Sequence, residues 1–271
     1  MAQATDSPRG NIELFQDFIG WDVVADQPEL AVDIDPAVEI FTTGAGGVLR
    51  ITMDAGQTNI GGALFGQLQW DTTDGLYLEA RVRLSAIGAA DERCGVWLTD
   101  RQEATLSEYP FTMTTTVATA AADPEDAIGI FWEGNGPDSW VALSQNTDAL
   151  VVDGVTNQTA VIPPVAATWQ TISMYIAPGA TSVEFAVNGN LLYRYSGATR
   201  AVADVPLIPV FGCTEGTAAI NFTRDPGSPI ETHNYTFRSG DYSEVANSIG
   251  EVIADAPIEG YVVSVITSLV Y

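Results

Sequence analysis

The sequence predicts an all-β antiparallel sandwich with extended N- and C-terminal segments and at most one short helix. Short segments alternate apolar and polar residues at the two-residue period of half-buried strands, and turn residues separate them at the spacing of a sandwich. Only residues 242–254 have helical spacing. The 271 residues are 46% hydrophobic, which is enough for a large core, and their number suits one main β domain.

Residues 169–195 contain the clearest strand pattern. Residues 171–176 and 183–187 alternate, and Pro178 with Gly179 supplies a turn between them. Asn188 and Gly189 form the strongest hairpin signal, because a type I′ turn needs positive φ at both central positions and these residues tolerate it. We therefore predict a three-stranded antiparallel meander, with a third strand over residues 191–195, to which other strands pair.

Further strands are predicted along the chain. The strand at 76–84 alternates most cleanly, with one face in the core and the other towards water or a partner. Its Glu79, Arg81 and Arg83 are interpreted as surface ion pairs that stabilise little. Residues 205–213 contain two prolines and suit an edge or bulged strand. The remaining strands are predicted at 47–53, 64–70, 94–99, 127–133, 140–144, 150–152, 159–162, 219–223 and 236–238.

Three segments are expected. Residues 1–40 form an N-terminal arm and covering segment, residues 41–240 the sandwich, and residues 241–271 a helix and strand tail. Within the sandwich, the Thr- and Ala-rich residues 100–126 form a long loop or an irregular excursion. The apolar tail either pairs as a final strand of its own sandwich or crosses to a neighbouring subunit, since exposed apolar strand edges recruit other chains. The tail residues expected to make that contact are Tyr261, Val263, Val265, Ile266 and Leu269.

Charge excludes some functions. The chain has 35 acidic residues against 10 basic ones, all arginine, and its net charge of −25 repels nucleic acid. Such a charge is typical of saline surroundings or of the outside of an assembly, although high-GC coding also favours arginine over lysine. The sequence lacks a signal-peptide pattern and an apolar run long enough to cross a bilayer as a helix, so we expect a soluble protein made in a cytoplasm, with no membrane partner.

The two cysteines lie far apart in sequence. Cys94 and Cys213 each occupy an apolar, strand-like context. They either face each other across a sheet and form a disulfide or remain as buried thiols, and without an oxidising compartment the thiols are favoured.

Seven segments follow one another in a characteristic order, namely FQDFIGWDV, GLYLEARVRLS, CGVWLTD, the strand at 128–130, WQTISMYI, VEFAVNGNLLYRY and VPLIPVFG. This order resembles the concanavalin A-like lectin/glucanase jelly roll as it occurs in bacteriophage virion structural proteins of the capsid decoration or cement type. The resemblance covers residues 12–238 and implies a jelly-roll sandwich, a fold that serves lectins, glycosidases and inert structural modules alike.

No catalytic, cofactor or metal site is predicted. Glucanases of this fold carry an acid pair on one strand, and no strand here offers that motif. Trp132, Glu133 and Trp140 resemble a platform for a sugar, although tryptophans that alternate into the core are the commoner explanation. The single His233 stands without a nucleophile motif. Two aspartate pairs lack the ligand spacing of a calcium loop, namely Asp71 with Asp74 and Asp148 with Asp153.

These observations favour a non-enzymatic phage structural protein, most concretely a capsid decoration protein that stabilises the head shell. Its partners would be the major capsid protein and other virion proteins, and it would assemble in the host cytoplasm as a homo-oligomer, with a trimer favoured. The alternative is a carbohydrate-binding module of a fibre or spike, which needs exposed Trp or Tyr along a sheet. A divergent β-glycanase is the third hypothesis.

Overall fold

The computed structural model describes residues 72–73, 75–84, 87, 92–100, 109–121, 124–210 and 212 in full, and elsewhere the backbone course of strands. The helices of the described residues are α1 (Gly154–Asn157) and a 3₁₀ turn (Pro178–Ala180). The strands are β1 (Gln3–Asp6), β2 (Asn11–Gln16), β3 (Leu30–Asp33), β4 (Val38–Thr42), β5 (Gly47–Ile51), β6 (Ile60–Phe65), β7 (Leu76–Leu84), β8 (Arg93–Thr99), β9 (Phe111–Met113), β10 (Ala118–Ala120), β11 (Ala127–Glu133), β12 (Val141–Asn146), β13 (Ala149–Asp153), β14 (Gln170–Ile176), β15 (Ser182–Val187), β16 (Asn190–Ser196), β17 (Ile208–Thr214), β18 (Ile220–Asn221), β19 (Thr232–His233), β20 (Tyr235–Arg238), β21 (Gly260–Tyr261) and β22 (Val263–Ser268).

The described strands form two large sheets and two small ones, β9–β10 and β19–β21. The seven-stranded sheet has the order β13-β12-β11-β8-β17-β6-β3, and each neighbouring pair in it is antiparallel. The 11-stranded sheet follows the path β1-β2-β22-β20-β7-β14-β15-β16, with β18, β5 and β4 joined to it beside β7. The predicted all-β sandwich is confirmed.

The main core lies between these sheets. From the larger sheet it takes the inward residues of β7, β14 and β15, and from the smaller sheet the inward residues of β8 and β11. Each of β7, β14 and β15 alternates strictly between buried and half-exposed positions, as the sequence pattern predicted. The inward residues of these strands include Leu76, Leu78, Ile172, Met174, Phe185, Val96 and Ile130.

The predicted meander β14–β15–β16 is confirmed, with both pairings antiparallel. At its hairpin Asn188 has φ 52° and Gly189 has φ 72°, as a type I′ turn requires. The preceding turn contains Gly179 at φ 77° and Ala180 at φ 54°. Local turn chemistry therefore determines the path of this part of the chain.

A second core lies on the outer face of the seven-stranded sheet. Residues 100–126 were expected to form a long loop or an irregular excursion, and within them β9 and β10 pair as an antiparallel hairpin. Phe111 and Met113 of this hairpin are buried against Trp97 and Phe131 of the sheet. The ring centroids of Phe111 and Phe131 are 4.9 Å apart in an edge-on arrangement, and those of Trp97 and Tyr109 are 5.4 Å apart. Both faces of β11 are consequently buried.

Glycines make room for this second core. Gly62, Gly212 and Gly95 lie opposite one another in β6, β17 and β8. A Cβ atom on Gly95 would lie 2.6 Å from Cδ1 of Phe131 and 2.9 Å from Oη of Tyr109. The two rings therefore need a residue without a side chain at position 95.

Three predicted elements differ in the structure. β17 was expected to be an edge or bulged strand because of its prolines, but it lies between β8 and β6 and pairs with both without a register shift. Pro209 is accommodated because pairing with β6 begins only at Val210. Residues 159–162 are not a strand, since Thr159 and Ala160 both donate backbone hydrogen bonds to the carbonyl of Leu192. β6 begins four residues before the predicted strand at 64–70.

The terminal segments also contain strands. β1 and β2 pair with each other, and β3 pairs with β6, where the sequence suggested an arm and a covering segment. β22 pairs parallel with β20 and antiparallel with β2 of its own chain, which is the in-chain alternative for the tail. The helix predicted over residues 242–254 lies outside the described residues. Among the described residues, no helix has the length and apolar character needed to cross a membrane.

Candidate functional site

The two tryptophans of the predicted sugar platform are core residues. Trp132 is 6% exposed and Trp140 is 1% exposed, and both belong to the main core. The indole nitrogen of Trp140 donates a hydrogen bond to Oε1 of Gln170 at 3.1 Å. A stacking platform needs an exposed ring face, so packing in the core accounts for these two residues.

Glu133, the third platform residue, holds the β9–β10 hairpin in place. Its side chain is 3% exposed. Nε of Arg93 donates to its Oε1 at 2.9 Å, and the backbone amide of Met113 donates to its Oε2. The buried charge is therefore compensated by a cation and by a hairpin amide, which is a structural role.

Two further carboxylates connect loops at one end of the seven-stranded sheet. Oδ1 of Asp126 accepts backbone hydrogen bonds from Thr147 and Ala203, both at 3.1 Å. Oδ1 of Asp100 accepts from the amide of Asp126 at 3.3 Å. Burial raises the pKa of Asp100, and the nearby charges of Asp126 and Glu125 raise it further.

Of the aspartates weighed as calcium ligands, Asp148 and Asp153 have other roles, and Asp71 and Asp74 lie outside the described residues. Asp153 caps α1: its Oδ1 accepts from the amide of Val155 at 3.0 Å, and its Oδ2 accepts from the hydroxyl of Thr156 at 2.8 Å. Asp148 lies in a turn with φ 63°. No group of three His, Cys, Asp or Glu residues in the described part of the chain is arranged to hold a metal ion.

Among the described residues, the outer face of the larger sheet presents an extended array of aromatic and charged side chains. On β7, β14 and β15 the residues that alternate with the core residues are half-exposed, and on β16 Arg194 lies opposite Glu184. We call this surface the Tyr–Arg face. It consists of Tyr77, Glu79, Arg81, Arg83, Trp169, Thr171, Ser173, Tyr175, Glu184 and Arg194.

One row of this face crosses four strands. Tyr77 lies opposite Tyr175, Tyr175 opposite Glu184, and Glu184 opposite Arg194. Opposite residues in antiparallel strands have Cβ atoms about 4.5–5.5 Å apart, so the two tyrosines are direct neighbours. Oη of Tyr77 donates to Oε2 of Glu79 at 2.6 Å, and Nη2 of Arg194 lies 2.7 Å from Oε1 of Glu184. The row therefore combines two phenol rings with flanking charged groups.

A second group on the face is formed around Trp169. The guanidinium carbons of Arg81 and Arg83 lie 5.4 Å and 5.2 Å from the centre of its ring system, within the range of cation–π attraction. Together with Arg194, these two residues are the described arginines of the face.

This array has the chemistry of a binding surface. Tyrosine and tryptophan offer flat apolar rings with a polar atom at the edge, carboxylates accept hydrogen bonds from hydroxyl groups, and guanidinium groups donate them. The sequence showed that Glu79, Arg81 and Arg83 point away from the core, but not that Tyr175 and Trp169 join them. Strand alternation contained the signal for Tyr175, whereas its partner strand β7 lies about a hundred residues earlier in the chain.

Comparison with known proteins identifies the fold. No family model and no curated protein matches the chain. Among solved structures, the carbohydrate recognition domain of Emp47p is similar with a TM-score of 0.53 and 12% identity, over 87% of this chain and 97% of that one. A protein of unknown function from Shewanella oneidensis MR-1 has a TM-score of 0.55 and 12% identity, over 88% and 90% of the chains.

A third similar structure comes from work on endo-acting O-glycanases that human gut microbiota express to initiate mucin breakdown. It has a TM-score of 0.51 and 16% identity, over 74% of this chain and 85% of that one. At such identities the likeness concerns the fold, and the chain has a jelly-roll β-sandwich of the concanavalin A-like type.

Proposed function

We propose that this protein is a non-enzymatic carbohydrate-binding module that holds its glycan on the Tyr–Arg face. The observation that carries the proposal is the pair Tyr77 and Tyr175, which lie side by side on adjacent strands, half-exposed, with Glu79 and Glu184 beside them. The fold supports it, because one similar structure is itself a carbohydrate recognition domain.

The other sheet offers less access to a ligand. Its outer face at β8, β11 and β12 is covered by the β9–β10 hairpin, so that Trp97, Phe131 and Val141 are buried in the second core. On the larger sheet the outward residues of β7, β14 and β15 retain partial exposure. A ligand that needs aromatic rings and polar groups together therefore finds them on the Tyr–Arg face.

Each group has a defined part in the proposed complex. The rings of Tyr77 and Tyr175 receive the apolar side of a sugar ring. Glu79, which already accepts a hydrogen bond from Tyr77, and Glu184 accept from sugar hydroxyls, while Arg194 donates to them. Because these side chains stand on paired strands rather than on loops, little ordering is needed when the glycan binds.

The roles of the described buried carboxylates support the proposal of a binding module rather than an enzyme. Glu133 is bonded to Arg93 and Met113, and Asp126 to two loop amides, so each is engaged in holding structure. Glycoside hydrolysis needs two carboxylates that flank the scissile bond. Turnover of a β-glucan or of a mucin O-glycan by the purified protein would overturn this part of the proposal.

A glycan array followed by calorimetry tests the proposal. The wild-type chain should bind at least one glycan class, and Tyr77→Ala and Tyr175→Ala should each weaken that binding by about tenfold or more, equivalent to about 1.4 kcal/mol. Tyr77→Phe keeps the ring and removes the hydroxyl, so it should lose less. Val117→Ala, on the exposed tip of the β9–β10 hairpin, is the matched control and should bind normally. Wild-type affinity in both tyrosine variants, or no binding by the wild type, would refute the site.

A capsid decoration protein is the second candidate, favoured by an exposed apolar loop at residues 161–168. Val161 is 76% exposed, yet the loop is fixed, since Val165 donates to Oε1 of Gln170 at 3.1 Å and Ala167 donates to the carbonyl of Leu84 at 2.7 Å. Fixed and exposed apolar residues are typical of protein contacts. Mass spectrometry of purified phage particles, with copy number measured against the major capsid protein, tests this candidate, and absence from the particles would exclude it.

A further inference from the structure

The two cysteines of the chain occupy directly opposed positions in the seven-stranded sheet. β8 and β17 are antiparallel neighbours, and their register runs without a shift from the pair Thr99 and Ile208 to the pair Arg93 and Thr214. Within this register Cys94 lies opposite Cys213. The sequence left open whether the two residues are neighbours, and the strand pairing settles that they are.

This placement meets the distance requirement of a disulfide. Opposed residues of an antiparallel pair have Cα atoms about 5.5 Å apart at hydrogen-bonded positions and about 4.5 Å apart at the others. Both distances fall within the range of about 4.4–6.8 Å that disulfides span. Opposed positions also share one face of the sheet, and Cys94 is buried on the face towards the main core.

We propose that Cys94 and Cys213 form an intramolecular disulfide under oxidising conditions and so link β8 to β17 covalently. With a glutathione disulfide as oxidant, one cysteine thiolate attacks a sulfur of the oxidant and releases one reduced glutathione. The second cysteine thiolate then attacks the protein sulfur of this mixed disulfide and releases another. Both protein thiols lose their protons, two electrons pass to the oxidant, and one sulfur–sulfur bond forms in the protein.

The burial of Cys94 determines when this reaction takes place. A buried thiol is shielded from glutathione in the folded chain, so the bond forms while the sheet assembles or when β17 separates from β8. Once formed, it joins positions that are far apart in sequence and restricts the unfolded chain strongly. The oxidised protein should melt roughly 5–15 °C higher than the reduced protein.

Refolding of the full chain in two redox buffers tests the proposal. Denatured wild-type protein is refolded with either oxidised or reduced glutathione, its remaining thiols are blocked, and it is digested without reductant for mass spectrometry. After oxidative refolding we expect the peptides of Cys94 and Cys213 to be joined within one chain and the melting temperature to be raised, and added reductant should reverse both effects.

Cys94→Ser and Cys213→Ser, each with a matching Cys→Ala variant in case the serine disturbs the core, are the controls. Each single variant should melt at the same temperature after both refolding conditions. The proposal is wrong if oxidatively refolded wild type keeps both thiols open to alkylation, carries glutathione on each cysteine, or links only cysteines of different chains. A joined pair that leaves the melting temperature unchanged would refute the stabilising effect.

Discussion

Nε of Arg93 lies 2.9 Å from Oε1 of Glu133, and the same carboxylate accepts the backbone amide of Met113 through its other oxygen. Arg93 and Glu133 are opposed residues at the ends of β8 and β11. Glu133, held by Arg93 within the seven-stranded sheet, therefore connects that sheet to the β9–β10 hairpin that covers the second core. A residue that resembled a sugar ligand in the sequence serves to keep that covering in place.

Glu133→Gln should destabilise the fold by about 1–3 kcal/mol, because a neutral amide presents one acceptor where two donors converge in a buried site. Urea unfolding monitored by tryptophan fluorescence measures the change. Glu184→Gln is the matched control, since the pair of Glu184 with Arg194 is 35% and 58% exposed and should contribute about 0–1 kcal/mol. Equal losses in the two variants would contradict the structural role of Glu133.

Gly95→Ala should cost about 1–3 kcal/mol, because its new methyl group would overlap Phe131 and Tyr109. It should also change the near-ultraviolet circular dichroism, which reports on the packing of these rings. Gly189→Ala has open space around its Cβ but a φ of 72°, so it should cost about 1–2 kcal/mol and leave that spectrum unchanged. An unaltered spectrum in Gly95→Ala would show that the rings do not need the glycine.

Strands and turns governed by local chemistry were predictable from the sequence. The bounds of β7 and β11 match the predicted segments, because strict alternation or a continuous apolar run marks a strand wherever its partners lie. The predicted turn at Asn188 and Gly189 is also confirmed, since it needs a positive φ at both positions and few residues adopt one.

Features that depend on distant pairing were missed. Phe111 and Met113 alternate with threonines, but three-residue strands carry too little periodicity to be recognised alone. Prolines suggested an edge or bulged strand for β17. That rule applies where both sides of a proline would have to pair, and Pro209 pairs only with β8. The Tyr–Arg face arises where β7 meets β14, and no local pattern states which strands become neighbours.

The Asp100→Asn variant should become more stable relative to the wild-type protein as the pH rises. The pKa of Asp100 is raised by its burial, so the folded state binds this proton more readily than the unfolded state, and that contribution is lost as the pH rises above the raised pKa. Asparagine carries no such charge and keeps an oxygen for the amide of Asp126. Between pH 4 and pH 7 the melting temperature of the variant should rise relative to that of the wild type. A difference in melting temperature that does not depend on pH would contradict this.

Sodium chloride should raise the melting temperature of the protein. A net charge of −25 repels itself over a Debye length of about 10 Å at 0.1 M salt, which shrinks to about 3 Å at 1 M. Differential scanning calorimetry across this range measures the shift. A flat or falling melting temperature would mean that the carboxylates are paired locally and that their mutual repulsion does not destabilise the fold significantly.

Removal of residues 260–271 should destabilise the chain without altering its state of association. β22 pairs with both β20 and β2, so its loss leaves backbone groups of those strands without their partner in the larger sheet. Thermal melting should show a lower midpoint for the truncated protein, and sedimentation velocity should give both proteins the same number of subunits. If the tail instead crosses to a neighbouring subunit, the truncated chain melts as before and a trimer of the full chain dissociates to monomers. The two measurements on the same pair of proteins therefore distinguish pairing within the chain from pairing between chains.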